Sequence, residues 1–218
     1  MMDNRSFIAR RAAKYFNPGD IVNLGIGIPS TCSDFADPSV LFQTENGLIG
    51  VGRMAKGLEI TDCYSNAGGI NYVPVYGASA FDTAYSFCVI RSGRMSATVL
   101  GALQVAENGD LANWASPGRA FGMGGAMGLC NGAKKVIVAM ELTAKNGAPK
   151  IVNKCTYPLT AMKCVDHIVT EKCVIDVTPE GLVLRELRKG VTVEEVQAGV
   201  EPKLIIPDEI GCMNPEDD

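Results

Sequence analysis

Two short runs constrain this chain most: 97–105 (ATVLGALQV) and 135–140 (KVIVAM) are β-branched or apolar at nearly every position. They are too short for buried helices, and they lack the alternation of a strand with one wet face. Strands covered on both faces belong to parallel sheets, whose crossover connections lay helices on either side. The expected fold is therefore α/β, an open and mostly parallel sheet flanked by helices.

The rest of the chain fits that frame. Asn4 is expected to cap a helix over 5–16, in which Phe7, Ile8, Ala12 and Phe16 recur at helical spacing while Arg10, Arg11 and Lys14 stay solvated. Asn17-Pro18-Gly19-Asp20 ends it. Short strands are expected over 21–24 and 40–44, with Pro29 in the first turn of a helix between them. The segment 173–187 reads as a hairpin around Pro179-Glu180-Gly181, and Thr192 with Glu195 forms a capping box opening a helix to about Val200. No repeat or linker interrupts 1–218, which reads as a single domain with a frayed acidic tail over 208–218.

Size and charge narrow the function. A chain of 218 residues buries roughly 70% of its unfolded surface on folding and needs no staples. Lys plus Arg number 20 against Asp plus Glu 24, the wrong sign for nucleic acid or an anionic membrane surface. No run approaches the 18 or so apolar residues of a membrane span, and the first sixteen residues lack the apolar stretch of a secretion signal. The eight cysteines form no CxxC and no metal-type cluster, so the expectation is a cytoplasmic protein with reduced thiols and no metal site. One histidine, His167, excludes mechanisms that need several imidazoles; it reads as packing or surface. Trp114 reads as core, and Met123, Met127 and Met140 as gap fillers.

Three places could carry chemistry. Gly25-Ile26-Gly27-Ile28-Pro29-Ser30 places glycines between a strand and a helix start, which suits an anion but lacks the third glycine of a dinucleotide fingerprint; a plain tight turn is the alternative. Glu45 follows a strand among small residues, either as an accessible carboxylate or as an ordinary loop glutamate. Gly124-Gly125 is either a turn or a pair of N–H groups aimed at an oxyanion.

Taken in order, these places resemble a known family. The stretches NPGDIVNLGIGIPS, QTENGLIGVG, SNAGG, VYGAS, NGDLANW, GMGGAMGL, VIVAMEL, KIVNKCTYPLT and VTEKCVIDV, spread from about Asn17 to Val200, are similar to the β subunit of family I coenzyme A transferases. The resemblance implies that Glu45 is the nucleophile and that Gly124 and Gly125 supply oxyanion amides. It also implies that Leu24, Gly25, Ile26, Gly27 and Ile28 lie against coenzyme A, with Asn66, Ala67 and Gly68 lining the same cleft. Coenzyme A would be a substrate rather than a tightly bound cofactor. The implied partner is an α subunit in an α2β2 assembly, and the implied substrates are an acyl-CoA and a small carboxylate.

Acetoacetate with acetate or butyrate leads among those substrates, and succinate is the alternative. Two positions depart from the family pattern: Thr44 stands where serine is common, and Gly128 where aspartate is common. The chemistry suits a chain with one histidine, because a glutamate of reference pKa ~4.3 is ionised at pH 7 and attacks a thioester without a base. Two rivals are thioester hydrolysis and a non-catalytic ligand sensor on a related sheet, in which Glu45 and GGAM would be idle.

Overall fold

The computed structural model describes residues 2–61 and 63–214. In chain order the elements are α1 (Asn4–Ala13), β1 (Ile21–Leu24), a 3₁₀ segment over Pro29–Phe35, β2 (Leu41–Thr44), β3 (Leu48–Met54), β4 (Tyr72–Ala80) and α2 (Thr83–Arg91). There follow β5 (Ala97–Leu100), β6 (Gln104–Ala106), β7 (Leu111–Ala112), β8 (Ala115–Ser116), β9 (Arg119–Ala120), α3 (Ala126–Gly132) and β10 (Val136–Ala139). The chain ends with β11 (Ile151–Val152), β12 (His167–Val169), β13 (Cys173–Thr178), β14 (Gly181–Leu187), α4 (Val193–Gln197) and β15 (Gly211–Cys212).

Ten strands form one sheet in the order β15-β14-β13-β12-β10-β5-β1-β2-β3-β4. The middle five, β12-β10-β5-β1-β2, run parallel, and antiparallel pairs extend the sheet on both sides. The apolar runs explain the middle. Val136 and Val138 of β10 face one core with Leu129, Cys130 and Ile90, while Ile137 and Ala139 face another with Phe7, Ile8 and Ala12 of α1. All four β10 residues are buried, as a strand clad on both sides requires.

Several boundaries differ from the sequence expectations. The Asp3 side chain, not Asn4, caps α1 by accepting from the Ser6 N–H at 3.0 Å. The helix stops at Ala13, because Lys14, Tyr15 and Phe16 bond back three residues and tighten the last turn. The run 97–105 is not one strand. It leaves the sheet after Leu100, and β6 pairs instead with β7 and β11 in a small separate sheet.

The glycine-crowded stretch after Glu45 is a strand, β3. Gly50 sits at φ +87°, where the pairing shifts register, and a Cβ there would come within 2.9 Å of Ala78 on β4. Glycine lets β3 press against β4 and bend. Trp114 is not core: it is half-buried, and its Nε1 donates to the Leu159 carbonyl at 3.2 Å. Met140 is buried, whereas Met127 is 46% exposed.

The hairpin and the capping box stand as expected: Glu195 N–H donates to the Thr192 hydroxyl at 3.3 Å and Thr192 N–H to the Glu195 carboxylate at 2.9 Å. The helix they open, α4, ends at Gln197. Within the tail expected to fray, Gly211–Cys212 pairs with β14, and Met213 and Asn214 are buried. Residues 215–218 lie outside the described residues. No helix among the described residues is long and apolar enough to cross a membrane.

Candidate active site

Strand order reverses at β1, which is followed by β2 on one side in the sheet while β5 lies on the other, all three parallel. A crevice must open beyond the carboxyl ends of strands at such a point. It is there: a cavity of about 610 Å³. Leu24, Gly25 and Ile26 at the end of β1 line it, as do Glu45 after β2 and Leu100 to Leu103 at the end of β5. Of the eleven residues the sequence marks, nine share its wall: Leu24, Gly25, Ile26, Glu45, Asn66, Ala67, Gly68, Gly124 and Gly125. Gly27 and Ile28 do not. Ile28 lines a smaller neighbouring cavity, and Gly27, at φ +92°, turns the chain.

The turn that presents Glu45 is pinned at every residue. Gly47 N–H donates to the Thr44 carbonyl at 3.0 Å, and Leu48 N–H to the Thr44 hydroxyl at 3.2 Å. A hydroxyl at 44 is therefore used, and threonine supplies it as serine would. Gly47 lies at φ +118° and accepts from Phe81 N–H at 2.8 Å; a Cβ there would strike the Phe81 carbonyl. Only glycine fits. Asn46 donates to the Ser65 carbonyl at 2.6 Å and ties this turn to the opposite wall. There Asn66 accepts from the N–H groups of Gly68 at 2.9 Å and Ile70 at 3.0 Å.

Beneath the turn, Asn23 of β1 and Gln43 of β2 are register partners, 3% and 2% exposed. Asn23 donates to Gln43 Oε1 at 2.7 Å, and Gln43 Nε2 donates to the Ser86 hydroxyl at 2.7 Å. Neither is among the eleven residues that the sequence marks. The signal for this floor was a polar residue inside each of two apolar strands, IVNL and LFQT, which survives burial only when its hydrogen bonds are met.

Gly125 N–H donates to Glu45 Oε1 at 3.3 Å. A side chain at 125 would collide with the Glu45 carboxylate and reach within 2.7 Å of Phe87, so glycine is what lets this backbone meet the carboxylate. Phe87 also explains Gly128: a Cβ there would sit 3.1 Å from the Phe87 ring, which fills the space a larger side chain would need. Glu45 is the only charged residue among the described residues lining the cavity. No group of three or more potential metal ligands occurs among the described residues.

The arrangement offers a half-buried carboxylate, a backbone N–H on one of its oxygens, and a largely apolar cleft. Known proteins share it to different degrees. Residues 6–199 match the family model described as coenzyme A transferase. The beta subunit of the acetate CoA-transferase of Escherichia coli strain K12 is 46% identical over 166 residues, 73% of this chain and 74% of that protein. One of the subunits of the succinyl-CoA:3-ketoacid coenzyme A transferase of Helicobacter pylori strain 26695 is 44% identical over 158 residues, 72% of this chain and 76% of that protein.

A crystal structure of an acyl-CoA transferase from E. coli O157:H7 superposes with a TM-score of 0.77 at 20% identity, over 97% of this chain and 43% of that one. The chain thus spans less than half of that solved relative, whose likeness speaks for the fold alone. The family match covers most of the sequence and the cavity with it: this chain belongs to the coenzyme A transferase family, on the side of its β subunits.

Proposed function

We propose that this chain is the catalytic β subunit of an enzyme moving CoA between a short-chain acyl-CoA and a carboxylate, with Glu45 as nucleophile. The observation that carries this is the Glu45 carboxylate held against the Gly125 N–H in the wall of a cleft large enough for a thioester arm. Glu45 attacks the thioester carbonyl, expels CoA thiolate and becomes an acyl-glutamyl anhydride. The thiolate then attacks the glutamyl carbon of that anhydride, releasing the acyl group as a carboxylate and leaving a glutamyl-CoA thioester. The acceptor carboxylate takes CoA by the reverse steps.

When thiolate or acceptor attacks the glutamyl carbon, negative charge gathers on the Glu45 oxygen that Gly125 already faces. At 3.3 Å the ground-state hydrogen bond is long, so it has room to shorten as charge builds, which is the condition for catalysis by differential binding. Glycine at 125 allows that approach, as the collision of any Cβ with the carboxylate shows.

The named relatives act on acetate in one case and succinyl-CoA with a 3-ketoacid in the other. With no lysine or arginine on the described wall of the cavity, this chain offers no partner for the far carboxylate of a succinyl group. That favours monocarboxylic acyl groups, acetoacetate with acetate or butyrate. An α subunit is the expected partner, in an α2β2 assembly.

The test is to incubate the assembled complex with acetoacetyl-CoA alone and map covalent CoA by peptide mass spectrometry. An adduct on the peptide carrying Glu45 is expected, and discharge by added acetate or butyrate should outpace discharge by succinate. An adduct on another residue would overturn the assignment. Discharge by water as fast as by any carboxylate would make the chain a hydrolase.

A further inference from the structure

A CoA thioester carries several phosphate charges, yet no cation lines the described wall of the 610 Å³ cavity. A smaller cavity of about 180 Å³ adjoins it at the same edge of the sheet and shares Ile26, Gly101 and Ala102 with it. Ala139, Met140 and Glu141 at the end of β10 close its other side together with Lys150, the only basic residue among the described residues lining either cavity.

The Lys150 ammonium is half-buried and makes no hydrogen bond or ion pair among the described residues. Burial pushes it down to about 8, against the pull of Glu141 and Glu171. Neither acid is committed to it: Glu141 is exposed, and Glu171 accepts from the Leu142 N–H at 2.9 Å. A cation has been brought part-way out of water with acids nearby but no hydrogen-bonded partner among the described residues, which folding tolerates at a cost and a bound anion would relieve.

The sheet provides a ruler. β2, β1, β5 and β10 are consecutive parallel neighbours, and at 4.7–4.9 Å per strand the end of β10 lies about 14 Å from the end of β2, where Glu45 sits. The far carboxylate of a four-carbon diacid reaches at most about two extended residues, ~7 Å, from the reacting carbon. The arm between the sulfur of CoA and its first phosphate matches about four residues of backbone, ~14 Å when extended.

We propose that Lys150 and the small cavity form a phosphate subsite, holding a phosphate of CoA while the sulfur lies at Glu45 and the arm crosses the Gly25–Gly27 turn. This rests on the transferase reading above and adds to it the residue that recognises the nucleotide end.

The experiment compares acetoacetyl-CoA with acetoacetyl-pantetheine, which lacks every phosphate, in the assembled complex carrying wild-type chain, Lys150→Met or Lys150→Arg. With the CoA substrate, Lys150→Met should raise KM about tenfold or more with kcat nearly unchanged, the scale of one lost charged hydrogen bond; Lys150→Arg should recover most of that. With the pantetheine substrate all three should behave alike. Equal losses on both substrates would overturn the phosphate assignment, as would an unchanged KM for acetoacetyl-CoA. A wild-type complex that transfers CoA to no acceptor would instead defeat the transferase reading, and calorimetric titration with CoA and pantetheine would still decide the subsite: tighter binding of CoA that Lys150→Met abolishes supports it, and equal binding by both proteins overturns it.

Discussion

The cavity at the carboxyl ends of the parallel strands and the packing of α1 against the sheet are built on opposite principles. The described wall of that cavity holds Gly25, Gly124, Gly125 and one carboxylate, Glu45, which accepts a backbone N–H. Under α1, side chains lock the helix to the sheet. Arg11 donates to both Glu186 oxygens at 2.6 and 2.7 Å and lies over the Tyr15 ring; Tyr15 stacks on His167 with ring centroids 4.3 Å apart. His167 Nδ1 donates to Asp176 at 2.6 Å, and Arg185 donates to the other Asp176 oxygen at 2.7 Å. The large cavity keeps Glu45 free of cations among the described residues so that it can react, while the α1 packing pairs its carboxylates to fix the scaffold. Substitutions at the first should change rate and leave stability; substitutions at the second should do the reverse.

The sharpest break of that contrast is Glu45→Gln. Transfer should fall on the order of 10⁴-fold, as when a covalent nucleophile is removed, with melting temperature and assembly unchanged. Next is Gly125→Ala. Its methyl group would displace the Glu45 carboxylate, and kcat should drop about 100-fold, comparable to loss of an oxyanion donor, while affinity for free CoA changes little. Normal kcat with weakened CoA binding would give this loop a binding role instead.

In the α1 packing, Arg11→Met leaves the Glu186 carboxylate without its bidentate partner and should cost about 2 kcal/mol, lowering Tm by roughly 4–8 °C. kcat at a permissive temperature should stay at the wild-type value. A rate loss equal to that of Gly125→Ala would show that the two regions are coupled.

The smallest expected effect is a pH dependence. Burial alone would raise the Asp176 carboxyl, but hydrogen bonds from His167 and Arg185 reverse that and hold it below its ordinary value of 3.8. A carboxyl depressed in the folded state contributes stability above the unfolded value and loses it as pH falls through the folded one. Asp176→Asn should therefore be about 1 kcal/mol less stable at pH 7, and the gap should close as pH drops below about 4. A gap that persists at pH 3 would assign the loss to packing against Tyr15 and His167.

Local pattern carried much of this molecule. KVIVAM read as a strand clad on both sides, Thr192 with Glu195 as the opening of a helix, and Glu45 among glycines as an accessible carboxylate with a loop glutamate the alternative. These are short-range matters, set by side-chain period, capping and the room a missing Cβ leaves. What lay beyond reach depended on residues far apart in the chain. Whether 97–105 continued as one strand was decided by β7 and β11, which claim Gln104–Ala106 for another sheet. Whether His167 faced solvent or a partner was decided by Tyr15, 152 positions earlier, and by Asp176 across a strand pair.

Lys150 shows the same limit most plainly. In the sequence it is one lysine among many. Only the packing of β10 beside β5 places it on a cavity wall that shares Ile26, Gly101 and Ala102 with the catalytic one, because a strand order is fixed by which apolar faces can be covered together and not by any run of neighbouring residues.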